Sequence, residues 1–335
     1  MKIAIIGLPG SGKTTLFTAI TELHPDQKDR VKPHLGGVFV PDERLDNLAK
    51  ILNPKKLTHA EITFLDTHSF DLVHSKESDA LVVVIGSFSG TSQKKDAEGI
   101  YADLILSDLQ IMEHRLPGMK KEIEAGKKLN EQAEYNLLLK CKAQLEKSRP
   151  LRELQFTKED AKLLYGYQFL SLKTLFLISN IAEEQINKGQ SSALSEFAKQ
   201  ENLEMIELCA KIESEIMELP EEERAEFSKS SGITELSMSR IVKAAYKTLR
   251  LVSFFTVKGD QMKSWPVKSG SRAIEAAGKV HTDIQRGFIK AEVINYKDFI
   301  ECGGFNEAKK RGILRLEGKD YIVQDADIIN FKFNV

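Results

Sequence analysis

The first twenty residues of the chain constrain the fold more than any other stretch. KIAII (residues 2–6) is apolar after Lys2, as a buried parallel strand is. GLPGSGKT (7–14) follows and matches GxxxxGK[ST] at every fixed position, and the next residues, TLFTAI, are typical of a helix. Strand, glycine loop and helix in this order predict a phosphate-binding loop. The alternative is an ordinary glycine-rich turn.

The chemistry of such a loop assigns roles to its residues. Glycines let the backbone approach phosphates with its N–H groups pointing inward, and the helix N-terminus adds partial positive charge. Lys13 is expected to reach the β- and γ-phosphates, and the Thr14 hydroxyl to ligate Mg²⁺. The loop residues predicted to bind the nucleotide are Gly7, Pro9, Gly10, Ser11, Gly12, Lys13, Thr14 and Thr15.

Composition limits the class of protein. The 335 residues are 41% hydrophobic and 29% charged with a net charge of −1, which predicts a soluble chain of two or three domains. With so little net charge, a surface for nucleic acid would be a local patch. The cysteines, Cys141, Cys209 and Cys302, are too far apart for a zinc or disulfide framework. No apolar run of about 18 residues and no signal-peptide pattern is present, so we expect a cytoplasmic protein without a membrane partner.

The rest of the chain divides by its hydrophobic pattern. Strand-like runs at 35–42, 61–66, 80–86 and 174–180 predict an α/β nucleotide-binding core. Residues 100–147 predict an antiparallel, coiled-coil-like helical hairpin, broken at Pro117-Gly118, with stripes at Ile105, Leu109, Met112 and Leu116 and along 129–145. The hairpin is either a solvated arm or a partner-binding arm. A β-rich α+β domain follows from about residue 251.

The C-terminal sequence carries a family resemblance. SRAIEAAGKVHTDIQRGFIKAEVINYKDFIECGG (271–304) and RLEGKDYIVQDADIINFKFNV (315–335) resemble the TGS domain of the YchF family, a family of Obg-like P-loop ATPases. Residues 40–56, 101–121 and 244–257 resemble YchF segments in the same order. The resemblance implies a Ras-like P-loop NTPase domain (1–98 and 150–250), an inserted helical coiled-coil hairpin (99–149) and a C-terminal TGS domain of ubiquitin-like β-grasp fold (251–335).

The resemblance also implies a ligand, a partner and base-contacting residues. Members of the family typically hydrolyse ATP in preference to GTP and associate with ribosomes, so a ribosome or RNA partner at the TGS domain and helical insertion is implied. We expect a monomer. NIAE (Asn180–Glu183) matches the NxxE of the family, in which Glu replaces the Asp that reads guanine. Cys209, Ala210 and Lys211 match the last base-contacting loop.

Two switch regions depart from the family pattern. No Ser or Thr stands between Thr21 and Thr58, so the usual Mg²⁺-ligating threonine of switch I is absent. No glycine stands between Asp66 and Gly86, so the glycine of DxxG is absent from switch II. Asp66 is retained and is expected to act with Lys13 in catalysis and to hold an Mg²⁺-bound water. Phe70 stands where the family has a hydrophobic residue.

Nearby side chains offer candidate substitutes for the missing groups. His68 or His74 is a candidate for orienting water, and Arg30, Lys32 and His34 are candidates for phosphate contacts; solvated surface positions are the alternative for all five.

Three functions are compatible with the sequence: a slow ATPase of YchF type, a nucleotide-occupied binding module without turnover, and a P-loop kinase. The kinase would need an arginine-bearing lid, for which the sequence has no candidate.

Overall fold

The computed structural model describes residues 1–25, 33–67, 70–88, 92–125, 129–186, 192–233 and 235–334. Two compact units make up the chain: Met1–Val38 with Thr63–Ile241, and Phe39–Ile62 with Val242–Val335. Within the described residues, no helix is long and apolar enough to cross a membrane.

Strands and helices alternate in the first unit, and the second unit combines its strands with mostly short helices. The strands are β1 (Lys2–Ile6), β2 (His34–Val40), β3 (Lys56–Thr58), β4 (Ala60–Asp66), β5 (Ala80–Gly86), β6 (Thr174–Asn180), β7 (Met205–Leu208), β8 (Leu251–Lys258), β9 (Gln261–Lys268), β10 (Phe288–Asn295), β11 (Arg315–Glu317) and β12 (Asp327–Phe333). The helices are α1 (Lys13–Thr21), α2 (Glu43–Leu52), α3 (Leu72–Ser75), α4 (Gln93–Glu124), α5 (Leu129–Leu145), α6 (Lys158–Leu164), α7 (Ser192–Gln200), α8 (Ala210–Glu218), α9 (Glu221–Ser230), α10 (Ser237–Thr248), α11 (Ala273–Val280), α12 (Thr282–Arg286), α13 (Tyr296–Cys302) and α14 (Phe305–Lys310).

The first unit is built on a sheet with the order β2-β4-β1-β5-β6-β7. β1 pairs in parallel with β4 and β5, and β5–β6 and β6–β7 are also parallel. The central strands β1 and β5 are apolar along almost their whole length and buried, as strands covered on both faces are. Loops that follow these strands therefore meet at one edge of the sheet, the usual position of a ligand site in an open α/β sheet.

The predicted helical hairpin is formed by α4 and α5. Ile105, Met112 and Leu116 of α4 pack against Leu137 and Cys141 of α5 in a buried cluster. The first turns of α4, by contrast, pack in the core of the parallel sheet, so this helix belongs to both parts of the unit.

The predicted break at Pro117-Gly118 is wrong. α4 continues from Gln93 through Pro117 to Glu124. Pro117 removes one backbone donor but lies on the exposed side of the helix. Leu116 and Met119, which flank it, are buried against α5, and this packing holds the helix together where local propensity favours a break.

The second unit has a sheet with the order β11-β10-β12-β8-β9-β3. β8 and β9 form an antiparallel hairpin, β12 lies parallel to β8, and β10 is antiparallel to β12 and β11. Without β3, this is the strand order of a β-grasp fold. α11 and α12 cover one face, while α2, α13 and α14 contribute to a core on the other.

Residues 39–62 join this unit although they precede it by almost two hundred residues. β3 pairs in parallel with β9, and Leu45 and Leu48 of α2 are fully buried beside Phe255. This segment lies within the nucleotide-binding domain predicted from the sequence (1–98 and 150–250). The contacts group it with the C-terminal unit instead.

The helix α6 is short. Thr157 caps it with a capping box to Asp160, and it ends at Leu164, where a 3₁₀ turn follows. Gln168 adopts a left-handed conformation, which ends the helical path.

Candidate nucleotide-binding site

The glycine loop between β1 and α1 is closely fitted to its surroundings. Gly10 and Gly12 have φ angles of 78° and 89°, in the left-handed region that favours glycine. A Cβ on Gly7 would lie 2.4 Å from the carbonyl oxygen of Val84 on β5. The loop therefore needs glycine for its backbone conformation at two positions and for close strand packing at a third.

Lys13 begins α1 and is 5% exposed. Its ammonium donates hydrogen bonds to the carbonyl oxygens of Gly7 (2.9 Å) and Leu8 (3.0 Å). Burial lowers the pKa of Lys13 below its ordinary value, and the nearby Asp66 carboxylate opposes that shift. A buried cation held inside the loop is the charge that a phosphate group would compensate.

Thr14 and Asp66 meet at the base of the loop. The Thr14 hydroxyl donates to Asp66 Oδ2 at 2.9 Å, joining the start of α1 to the end of β4. Asp66 is fully buried, and its Oδ1 has no hydrogen-bond partner among the residues that the structure describes. A hydroxyl and a carboxylate with a spare oxygen are hard donors of the kind that Mg²⁺ prefers.

Asn180 links three loops at the carboxyl edge of the sheet. Its Nδ2 donates to the carbonyl oxygen of Ser11 at 2.9 Å, and its Oδ1 accepts from the backbone N–H of Ala210 at 3.0 Å. A Cβ on Gly12 would lie 2.1 Å from that Nδ2. The side chain at the end of β6 thus braces both the phosphate loop and the loop after β7.

Glu183 and Lys211 form an ion pair across the rim of the site. Glu215 also lies near the ammonium, at 3.9 Å. The hydrogen bond and charge of Glu183 raise the pKa of Lys211. Cys209 lies two residues before Lys211, and burial raises the pKa of its thiol, which is therefore a weak nucleophile.

These loops enclose a cavity of about 500 Å³, large enough for a nucleotide. Its lining residues are Gly10, Gly12, Lys13, Thr14, Thr15, Phe88, Asn180, Ile181, Ala182, Glu183, Glu184, Cys209 and Lys211.

Most of the site residues proposed from the sequence come together here. Gly7, Ser11, Asp66 and Ala210 lie behind the lining and contact it, as described above. Pro9 is exposed and is not part of the lining.

Phe88 is the main lining residue that sequence reasoning missed. It is half exposed, and its ring packs on Gly86, where an added Cβ would lie 2.9 Å from the ring. It also approaches Gly12, whose added Cβ would lie 3.8 Å from Phe88 Cζ. An aromatic residue two positions beyond a central parallel strand is the signal that could have found it, because ligands bind beyond the carboxyl ends of such strands.

The candidate switch substitutes are not part of the cavity lining in the described residues. His74 Nδ1 contacts Asp71 Oδ2 at 2.5 Å, and Asp71 caps α3. Phe70 packs against the sheet core. His34 lies at the start of β2, outside the lining. Arg30, Lys32 and His68 lie outside the residues that the structure describes.

Comparison with known proteins identifies the family to which the chain belongs. The family model YchF-GTPase_C, described as "Protein of unknown function (DUF933)", matches residues 251–334. A ribosome-binding ATPase YchF from Bacillus subtilis (strain 168) is 35% identical over 361 aligned positions, covering 99% of this chain and 98% of that protein. The chain belongs to the YchF family.

Other YchF proteins extend the comparison. A ribosome-binding ATPase YchF from Escherichia coli O157:H7 is 34% identical and covers 100% of this chain and 99% of its own. The solved structure of the Schizosaccharomyces pombe YchF GTPase is 24% identical, with a TM-score of 0.84 over 99% of this chain and 97% of that chain. The YchF fold, a P-loop domain with a helical insertion and a C-terminal domain, is therefore shared.

Proposed function

We propose that this YchF-family chain binds ATP with Mg²⁺ in the cavity between the phosphate loop and the loops after β6 and β7. The observation that carries the proposal is that Lys13, Thr14 and Asn180 line one cavity. The ammonium, the hydroxyl and the amide of these residues lie at a glycine loop whose backbone conformation suits phosphate.

The base is proposed to lie between the loops that follow β6 and β7. Asn180 supports both loops through its amide, and Phe88 offers an aromatic surface at the same cavity. The Glu183 carboxylate is paired with Lys211, so it is not free to accept both guanine N–H groups as the Asp of a GTPase does. This pairing supports a preference for ATP.

Mg²⁺ fits the donors present. Thr14 Oγ1 is proposed as a ligand, with Asp66 holding an Mg²⁺-bound water through its spare oxygen. Among the described residues there is no group of three or more His, Cys, Asp or Glu side chains that could hold a metal without the nucleotide. Mg²⁺ bound with phosphate would neutralise charge on the β- and γ-phosphates.

Hydrolysis to ADP and phosphate is proposed to be slow. Phosphoryl transfer depends on positioning water and stabilising charge. The phosphate loop supplies charge, but the switch segments lack the usual threonine and glycine, and Phe70 and His74 have other contacts. These same facts favour the second candidate, a nucleotide-occupied module without turnover.

The proposed partner is the ribosome, which the bacterial relatives' names specify for those proteins. The helical hairpin and the C-terminal unit are the candidate contact regions, because neither contributes to the nucleotide cavity lining.

The test is single-turnover phosphate release from radiolabelled ATP and Mg²⁺, with protein in large excess and Lys13→Ala as the background. Bound ATP is measured in the same samples. Release above the background supports the ATPase, and bound ATP without release supports the non-hydrolysing module. If Lys13→Ala binds ATP as well as the unaltered chain does, the proposed site is wrong.

A further inference from the structure

The loop after β6 is held from outside the nucleotide cavity by two polar side chains. Ser87 is the first residue after β5 and is partly buried, while Gln185 is exposed and ends a 3₁₀ turn at Glu183–Gln185. Neither is among the described residues that line the cavity. Both accept from the backbone of Ala182, which does line it. We call this arrangement of Ser87, Ala182 and Gln185 the Ser87–Gln185 clamp.

The backbone N–H of Ala182 has two acceptors in the clamp. It donates to Gln185 Oε1 at 2.9 Å and to Ser87 Oγ at 3.1 Å. The Ser87 hydroxyl in turn donates to the same Gln185 oxygen at 2.5 Å, so the three groups form a closed triangle of hydrogen bonds. An N–H shared in this way keeps one acceptor when the other is removed, so each side chain can replace part of the contribution of the other.

The backbone of Ser87 fixes the start of the same loop. Its N–H donates to the carbonyl oxygen of Asn180 at 2.9 Å, which extends the parallel pairing of β5 and β6 by one hydrogen bond. Ser87 therefore holds the loop at Asn180 through its backbone and at Ala182 through its side chain. The cavity-lining residues 180–184 lie between the first of these contacts and Gln185.

The clamp matters because the residues after Ala182 bury little side-chain surface. Glu183, Glu184 and Gln185 are all exposed. The ion pair of Glu183 with Lys211 lies on the exposed rim, and exposed ion pairs contribute little to stability. Hydrogen bonds to the backbone therefore do more here than side-chain packing to limit the conformations of the loop before a nucleotide binds.

We propose that Ser87 and Gln185 are positioning residues of the nucleotide site, which fix Ala182 and so pre-form the side of the cavity that receives the base. Binding loses less conformational entropy when a loop already has its bound conformation. The phosphate side is fixed separately, by the glycine conformations of the loop before α1. The clamp should therefore act on the base and not on the phosphates. The inference rests on the proposed function, because it takes the base to lie against the loop after β6.

Ligands with and without a base test this division. Affinities for ATP and for tripolyphosphate, both with Mg²⁺, are measured by isothermal titration for the unaltered chain, Ser87→Ala, Gln185→Met and the double variant. Each single variant leaves Ala182 one acceptor and should lose about twofold in ATP affinity. The double variant removes both acceptors and should lose about tenfold, more than the product of the single effects. Tripolyphosphate affinity should stay unchanged throughout.

Two further variants are controls. Ser87→Ala/Gln185→Glu keeps an oxygen that can accept from Ala182, and it should bind ATP about as well as Ser87→Ala alone. Gln155→Met replaces an exposed glutamine outside the cavity lining and should change neither affinity. Hydrogen exchange in the nucleotide-free chain gives a readout without any ligand: residues 181–185 should exchange about tenfold faster in the double variant, because the Ala182 N–H loses both acceptors.

The outcomes separate the clamp from the proposed function. If ATP binds more tightly than tripolyphosphate and the double variant keeps this margin, nucleotide binding stands and the positioning role is overturned. If the double variant loses affinity for both ligands equally, its effect is on the fold as a whole and the positioning role is again overturned. If tripolyphosphate binds the unaltered chain as tightly as ATP does, the base contributes nothing, and the proposed base site and the clamp are overturned together.

Discussion

The amide of Asn180 occupies the space that a side chain at Gly12 would need. A Cβ on Gly12 would lie 2.1 Å from Asn180 Nδ2, and that same nitrogen donates to the Ser11 carbonyl oxygen at 2.9 Å. Gly12 follows the first strand of the parallel sheet, and Asn180 ends a strand far later in the chain, yet the position of each side of this contact limits the other. The phosphate loop and the proposed base loop are therefore in direct contact, and a change in one should affect the other.

Gly12→Ala should therefore impair both motifs. The change places a methyl group against Asn180 and forces alanine to a φ of 89°, so the loop must shift. We expect ATP affinity to fall by about a hundredfold, since strain of about 1–3 kcal/mol adds to lost phosphate contacts. Isothermal titration measures it, with Gly99→Ala, where an added Cβ meets nothing within 4 Å, as the control. Unchanged affinity would contradict the proposed coupling.

Asn180→Ala should reduce stability as well as nucleotide binding. It leaves the Ser11 carbonyl and the Ala210 N–H without their side-chain partner. The expected cost is about 1–3 kcal/mol in the free energy of unfolding, because both groups are buried. Urea unfolding without nucleotide measures it. Asn136→Ala, at an exposed position on α5, should have little effect, and a similar loss there would point to an unspecific cause.

Thr14→Val should remove the Mg²⁺ dependence of ATP binding. Valine keeps the shape of threonine but loses the hydroxyl that contacts Asp66. In the unaltered chain we expect Mg²⁺ to raise ATP affinity by about tenfold or more, since a hard cation bridges phosphate oxygens and this hydroxyl. The measurement is ATP affinity with Mg²⁺ and with EDTA. Thr18→Val on the same helix should keep the metal dependence; an undiminished Mg²⁺ effect in Thr14→Val would exclude Thr14 as a ligand.

Lys211→Ala should shift base preference toward GTP. Without Lys211, the Glu183 carboxylate loses its ion-pair partner and is free to accept guanine N–H groups. The GTP-to-ATP affinity ratio should rise by about tenfold, the value of one additional hydrogen bond to a charged group. The melting temperature should not change, because exposed ion pairs contribute little to stability. Competition binding with both nucleotides measures the ratio, and a ratio equal to that of Lys199→Ala would refute the role of the pair.

Asp108 should give the chain a pH-dependent stability. This buried carboxylate accepts backbone N–H bonds from Leu170 (2.8 Å) and Ser171 (2.7 Å), and burial raises its pKa above 3.8. The carboxyl of Asp108 therefore stays protonated in the folded chain at pH values at which it has lost its proton in the unfolded chain. Its contribution to the free energy of unfolding falls as pH rises from about 4 to its folded pKa. Urea unfolding of the unaltered chain and of Asp108→Asn across pH 4–7 measures the difference. The stability advantage over Asp108→Asn should shrink with rising pH; an advantage that grew would contradict the raised pKa.

The sequence predicts a site or an element most securely where a short local pattern is required by the chemistry of its ligand or by the geometry of a helix. The loop from Gly7 to Thr14 was predicted from a spacing that few other structures use. NIAE at 180–183 was predicted from its resemblance to the NxxE of the family and its place after an apolar strand, and neither prediction needed contact information. The buried stripes at Ile105, Met112 and Leu116 were likewise readable, because a repeat near 3.5 residues specifies one face of a helix.

Only the tertiary structure decided how segments far apart in sequence pack and pair with one another. The sequence by itself determined a phosphate-loop motif and a β-rich C-terminal region, and its resemblance to the YchF family predicted the residues of the base loops. The fold decided that α4 passes through Pro117, that residues 39–62 join the C-terminal sheet, and that Phe88 reaches the cavity. Each depends on contacts between residues far apart in sequence. Packing on α5 opposes the local tendency of Pro117 to break a helix, and β9 provides the edge on which β3 pairs.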